Sequence, residues 1–396
     1  MLSKNSITSN VYQKSYYLVY FQLSIHYKKI VMLQKKVTKE LDFFLLFEKF
    51  ITATKKGKRL QPNGKKVSSG TSKNYDSLQK ILKKFCADKK MLLRLKPVAK
   101  LNKRELRIEK NYWKNFYLKF TNYLGNDCNH FDNSIGLCIK NLRVFFNFLN
   151  KDLLLGIGDF HLQFYVRKED ISIVTLMPEE LNFFIYNQQF NTGLSPRLKE
   201  VRDFFVFGCT VALRFSDLEL LNKRNLRMVN NNVYLVVRSQ KVGADTSIKL
   251  PDYAVEILQR YKLKSGKLLP HFNISNLNKY LKILVELAGF IQPIGKRRDK
   301  LGIHTEVLKL DGLKKNGYRF CDLITTHTMR RTAITTMLCL GMPEMAVRKI
   351  SGHSPMSKEF FRYVSLAQTY LDNETLKMFE KLKGSIIDNN LALENI

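Results

Sequence analysis

Acid, paired cysteines and membrane-length apolar runs are what this sequence has least of, and each shortage narrows the range of functions. The 396 residues carry 34 aspartates and glutamates against 67 lysines and arginines, a formal net charge of +33. So large an excess points to a polyanionic partner, and nucleic acid would add affinity through counterion release. A bias toward Lys, Asn, Ile, Phe and Tyr also follows from an AT-rich genome, so charge alone does not single out DNA. The six cysteines, Cys86, Cys128, Cys138, Cys209, Cys321 and Cys339, contain no Cys-x-x-Cys pair. This argues against a zinc site and reads as reduced thiols of a cytosolic protein. No apolar stretch is long enough to span a bilayer. Tyr16 to His26 is mildly apolar but lacks the continuous hydrophobic region and small-residue cleavage site of a signal peptide. The expectation is a cytoplasmic protein with no membrane, metal or cofactor.

With 45% hydrophobic residues the chain has core enough for two or three domains. Residues 1–36 are poorly patterned, and Met32, just before Leu-Gln-Lys-Lys, is an alternative start to Met1. Leu41-Asp-Phe-Phe-Leu-Leu-Phe-Glu-Lys-Phe-Ile51 reads as a helix, followed by a basic Gly/Pro/Asn loop from Lys55 to Lys66, with Thr71 or Ser72 available to cap the next helix. From about 105 to 170 apolar residues recur at helical spacing with lysines interleaved, broken at Gly125-Asn-Asp. Their aromatics read as core. Val166 to Val174 reads as a linker, and Met177-Pro-Glu-Glu-Leu opens the next domain.

The groups that carry chemistry lie in the second half: Ala212-Leu-Arg214-Phe-Ser-Asp217, His327-Thr-Met-Arg330, Gly352-His353 and Phe361-Arg-Tyr363. Attack on a phosphodiester builds charge on the non-bridging oxygens, which guanidinium forks match bidentately as an ammonium cannot. Two arginines and two histidines therefore suit one phosphate. A tyrosine hydroxyl, with pKa near ~10, is a nucleophile only where the phosphorus is made electrophilic and its proton is helped away. Thr325 or Thr326 caps a helix predicted from His327 to Leu340 and closed by Gly341, which puts His327 and Arg330 on one face. Pro343 opens a short helix over Glu344 to Ile350 ended by Gly352, leaving His353 at its terminus. Ser357 is the expected cap of the helix carrying Tyr363. Arg214 follows the apolar run from Phe204 to Leu213, where a charge is costly unless paired or functional, and Ser216 with Glu219 spells a capping box. Arg331, Arg348 and Arg362 read as solvated charges, and His304 as a surface residue.

In this order and spacing the motifs resemble the catalytic domain of the tyrosine recombinases, the phage-integrase family, over about the last half of the chain. The Arg330-Arg331-Thr wording and the run from Gly352 to Tyr363 look most like integrases of Bacteroidetes mobile elements. The resemblance implies a mainly α fold with a small antiparallel β-hairpin or sheet. Its implied parts are an extension over 1–36, a helical and accessory arm-type DNA-binding module over 37–100, a SAM-like core-binding domain over 101–170, a catalytic domain over 176–384 and a tail over 385–396. It further implies that Arg214 and Arg330 bind the scissile phosphate, with Asp217 orienting the site and Arg331 a subgroup variant of a common histidine in a supporting role. Lys241, on a hairpin between Val233–Arg238 and Thr246–Pro251, resembles the lysine that protonates the leaving 5′-oxygen. His327 and His353 would assist the phosphate, and Tyr363 would form the 3′-phosphotyrosine, with Tyr370 as rival nucleophile because the step from His353 is one residue longer than the commonest form. The implied activity is site-specific integration, excision or inversion of a mobile element without ATP or metal. The implied partners are double-stranded DNA attachment sites, a homo-tetramer on DNA and an excisionase or DNA-bending accessory protein, in the nucleoid of a bacterium. The amphipathic segment from Leu376 to Leu382 suits exchange between neighbours or capping of its own domain. A type IB topoisomerase, and a catalytically silent DNA-binding protein of the same fold, are the competing readings.

Overall fold

The computed structural model describes residues 41–238, 245–261, 266–311 and 314–393. Lys241, the extension over 1–36 with Met32, and the last residues of the expected tail lie outside them. The chain divides into two compact units, one of residues 1–170 with 298–305 and one of residues 171–297 with 306–396.

The first unit is helical because its apolar residues keep helical spacing and its helix starts carry caps. Strand β1 (Leu41–Asp42) leads into α1 (Phe43–Lys55), where the Asp42 carboxylate accepts from the Leu45 amide at 2.9 Å. Helix α2 (Ser69–Asp88) is capped by Ser68, which accepts from the Thr71 amide; the expected caps Thr71 and Ser72 lie inside the helix. Strand β2 (Arg94–Leu95) pairs antiparallel with β1. Helix α3 (Lys103–Asn122) opens with a reciprocal capping box between Asn102 and Glu105 and runs into a π-helical turn at Tyr123–Asp127, where the sequence broke at Gly125. Helix α4 is Asp132–Asn147. One aromatic core joins all four: Phe43, Phe47 and Phe50 of α1 meet Phe145 of α4, while Phe85 of α2 meets Phe116 and Phe120 of α3. Residues on both sides of position 100 thus share a single hydrophobic cluster.

A segment distant in sequence completes this unit. Strands β7 (Arg297–Lys300) and β8 (Ile303–Glu306) form a hairpin turning at Leu301 and Gly302, both with positive φ. The Asp132 carboxylate accepts from the Leu301 and Gly302 amides at 2.8 and 2.9 Å, and buried Glu169 accepts from the Arg298 guanidinium and the Asp299 amide. His304 lies exposed on the hairpin beside Asp299, as its sequence context suggested.

The second unit places the buried helix α7 (Pro196–Val211) among α5 (Pro178–Tyr186), α6 (Gln188–Gly193), the short α8 (Phe215–Leu218), α9 (Asp252–Tyr261), α10 (Ile274–Leu287), α11 (Phe320–Leu323) and α12 (Thr326–Cys339). A three-stranded antiparallel sheet of β3 (Leu226–Val229), β4 (Asn232–Arg238) and β5 (Asp245–Lys249) pairs Leu226 with Leu235 and Leu235 with Ile248, so that Leu235, Val237 and Ile248 face the core. Shorter ribbons, β6 (Pro293–Ile294) with β11 (Tyr318–Arg319) and β9 (Lys309–Asp311) with β10 (Lys314–Asn316), lie further on. The mainly helical class with small antiparallel sheets is the one expected. Helix α12 ends one residue before the predicted Leu340, with Gly341 at φ +83° taking the left-handed conformation that closes it. Helix α13 (Glu344–Ser351) is likewise closed by Gly352. Helix α14 (Phe361–Leu393) is longer than the expected segment and takes in both Tyr363 and Leu376.

Candidate active site

The site is built at a bend. The apolar run of α7 stops at Ala212, whose φ of +54° is the strained left-handed conformation for a residue with a Cβ. The chain turns there, Leu213 tucks inside, and Arg214 becomes the extended residue before α8. Arg214 itself occupies the cap position and Ser216 lies within α8, so the expected Ser216–Glu219 capping box does not form. Asp217, in the same short helix, is 4% exposed.

The bend leaves the Ala212 carbonyl open to α12. Arg330, 5% exposed, donates to it from Nη1 at 2.7 Å and to the Ser351 carbonyl from Nη2 at 2.5 Å. These bonds fix the guanidinium between the end of α7 and the end of α13, and its Nη2 lies 3.5 Å from His353 Nδ1. The same Nδ1 lies 2.8 Å from Ser351 Oγ, which in turn donates to the Val347 carbonyl. The His353 amide donates to the Arg348 carbonyl at 3.0 Å, the bond that the Gly352 turn makes geometrically available. Tyr363, 7% exposed in the first turn of α14, has its ring 6.1 Å from that of His353.

Electrostatics shows how crowded with positive charge this pocket is. Burial and then Arg214 hold Arg330 well below its usual value, down to about 10. His353 is pushed down to about 4 by burial and by Arg330, Arg214, Arg348 and His327. His327 reaches solvent from α12, yet desolvation in its surroundings and then Arg331, Arg330 and Arg214 also lower it. Both imidazoles are therefore neutral at pH 7, and each can donate one N–H. The pocket favours an incoming anion, because a negative charge would relieve the mutual repulsion of its cations.

The structure brings Arg214, Asp217, His327, Arg330, His353 and Tyr363 into one neighbourhood, with Arg331 part-buried beside His327. Lys241, the remaining residue of the expected set, lies outside the described residues. Tyr370 stands seven residues along α14 from Tyr363, and its hydroxyl donates to Glu179 at 2.6 Å. Two participants were not legible in sequence. Ser351 orients His353, although nothing in Ser-Gly-His marks it out. Arg348 is not the solvated charge expected; it is 4% exposed and engaged on several sides. Ser357 does not cap α14, which starts four residues later. Among the described residues no group of three or more His, Cys, Asp or Glu could hold a metal ion, and no helix is long and apolar enough to cross a membrane.

Compared by sequence, the chain matches no family model and no curated protein. By structure it resembles a lambda integrase dimer bound to a COC′ core site, with a TM-score of 0.53 at 13% identity over 87% of this chain and 81% of that one. It also resembles a lambda integrase tetramer bound to a Holliday junction, with a TM-score of 0.52 at 14% identity over 83% and 80% of the two chains. A third likeness is the Tn1549 transposon integrase in complex with transposon right end DNA, with a TM-score of 0.50 at 17% identity over 86% of this chain and 99% of that one. The chain therefore has the tyrosine-recombinase fold of these structures, mainly helical with small antiparallel sheets.

Proposed function

We propose that this protein is a site-specific DNA recombinase that cleaves and rejoins DNA through a 3′-phosphotyrosine, serving the integration, excision or inversion of a mobile element. The observation that carries the reading is the cluster itself: Arg214 and Arg330 lower the proton affinity of His327 and His353, and Arg214 that of Arg330, with Tyr363 packed beside His353. Such a cluster costs the fold stability unless an anion fills it, and the scissile phosphate is an anion of the right geometry.

In this mechanism Arg214 and Arg330 hold the non-bridging oxygens and His353 and His327 donate to the phosphate. Tyr363 Oη attacks phosphorus in line, forming the P–Oη bond as the P–O5′ bond breaks. The tyrosine proton passes to a neighbouring base, a role this reading gives to neutral His327, and Lys241 supplies a proton to the departing 5′-oxygen. A 5′-hydroxyl of a partner strand then reverses the sequence and releases the tyrosine. Fixed guanidinium charge takes the role that metal ions play in many phosphoryl-transfer sites. Asp217 and Arg331 support the two arginine-bearing elements. Within this reading the first unit provides the accessory and core-binding surfaces, four copies assemble on two DNA sites, and an excisionase or bending protein sets direction. The net charge of +33 supports a long phosphate track, with sequence choice left to base contacts.

The test is covalent trapping on duplexes selected from a randomised pool for tight binding and then nicked to prevent religation. An adduct mapped to Tyr363 is the expected result, and its absence in Tyr363→Phe completes the assignment. An adduct at Tyr370 would move the nucleophile. Bound DNA without any adduct would sink the catalytic reading, and relaxation of supercoils without exchange between two duplexes would favour a topoisomerase.

A further inference from the structure

We propose that Arg348 is a positioning residue that sets the reach of the nucleophilic tyrosine; this rests on the reading of Tyr363 as nucleophile. After Gly352 and His353 have left α13, the seven residues from Ser354 to Phe360 lead to α14 without helix or strand, held by backbone bonds such as Ser357 N to Ser354 O and Phe360 N to Ser357 O. Tyr363 follows directly on this connection, so its hydroxyl can be no better placed than the connection is.

One guanidinium grips both ends of it. Arg348 Nη1 donates to the Ser354 carbonyl at 3.1 Å, at the start. Its guanidinium carbon lies 4.0 Å from the centre of the Phe360 ring, at the end, and 5.2 Å from that of Phe361. Nε and Nη2 donate to Glu344, which fixes the plane of the fork from the side of α13. Phe360 is fully buried, its ring 5.3 Å from that of His353 and 6.1 Å from that of Tyr363, and its carbonyl accepts from the Tyr363 amide at 3.0 Å. Arg348 is thus linked to the tyrosine by packing through one intervening ring.

A planar cation is required here. It must stack on an aromatic face while donating in two other directions, which a lysine ammonium cannot do with the same geometry. A surface cation has no such requirement. Burying this one is costly unless its contacts are used. In-line attack tolerates little error, and a displacement of about 1 Å costs about a hundredfold in rate.

The experiment compares the full-length wild type with Arg348→Met, Arg348→Lys and Glu344→Gln on a nicked suicide duplex, measuring single-turnover adduct formation across DNA concentrations. The expected result for Arg348→Met is a rate constant about tenfold to a hundredfold lower at saturating DNA, with the half-saturating DNA concentration unchanged. Arg348→Lys recovers part of the rate, and Glu344→Gln, which keeps the guanidinium but frees its fork, slows the reaction by less than Arg348→Met. A merely structural arginine would lower the fraction of protein that reacts and leave the rate constant of that fraction at the wild-type value. That outcome overturns the proposal; if Arg348→Met does not fold, wild-type rate constants in both other variants overturn it equally. A wild-type adduct at another residue would instead overturn the nucleophile assignment, and this inference with it.

Discussion

Lowering the pH from 7 to 5 should weaken the second unit through His353 in particular. The imidazole is held at about 4 in the folded protein, against 6.5 for the ordinary side chain. In the unfolded chain it takes up a proton as pH falls through the ordinary value. In the folded chain it stays neutral until about 4, because burial and the nearby Arg330 and Arg214 oppose its charge. The unfolded state therefore binds more protons across this window, and stability falls as pH falls. Without solvent the difference at pH 5 would be about 2 kcal/mol, and because the ring is part-exposed, screening brings it to about 1 kcal/mol. The assay is urea unfolding of the wild type and of His353→Gln at pH 7 and 5. The glutamine removes the titration and keeps a polar amide that can pair with Ser351 Oγ. The wild type should lose about 1 kcal/mol more than the variant, and an NMR titration of the ring should give a midpoint well below the ordinary value. Equal losses in the two proteins, or a ring titrating at the ordinary value, would refute the reasoning.

Three other contacts lead to measurable outcomes. Ser351→Ala removes the hydroxyl that lies on His353 Nδ1 and should slow adduct formation about tenfold with the melting temperature nearly unchanged; a wild-type rate would show that the ring is oriented by its other contacts. Thr332→Val leaves the buried Leu176 amide without its acceptor and should cost about 1–3 kcal/mol in denaturant unfolding, whereas an unchanged midpoint would contradict this. Gly136→Ala should destabilise the first unit by about 1–3 kcal/mol or more, because a Cβ there would stand 1.9 Å from the Arg167 carbonyl oxygen; proteolysis of that unit at unchanged rates would count against the packing.

What could be read from sequence was local. Helices α12 and α13 were legible because Gly341, Pro343 and Gly352 punctuate them, and the spacing of His327 and Arg330 then placed both on one face. Strands β4 and β5 showed as the two arms of the hairpin read over Val233–Arg238 and Thr246–Pro251. What escaped depended on partners far along the chain. Arg348 has the same letter as a solvated arginine, and the approach of Phe360 from the connection before the next helix helps to bury it. Ser68 and Thr71 are both fair caps within four residues, and the direction of chain entry decided for Ser68. Ser216 lost its capping role because Ala212 turns the chain two residues earlier than the motif suggests. The docking of residues 298–305 on the first unit was invisible, because Asp132 and Glu169 are ordinary acids until distant backbone amides and Arg298 reach them.

That docked hairpin bears on the order of synthesis. A ribosome making this chain finishes residue 170 long before residue 298, and until then the Asp132 and Glu169 carboxylates lack the amides and guanidinium that complete their cages. The first unit therefore emerges unfinished and is closed only when the middle of the second half has been translated. A fragment ending at the linker would leave Asp132 beside Arg167 and Glu169 on the Asn133 amide, short of their remaining donors, and an uncovered patch beside Gly125, where Leu301 belongs. Supplying the hairpin as a separate peptide is the natural way to make such a fragment whole.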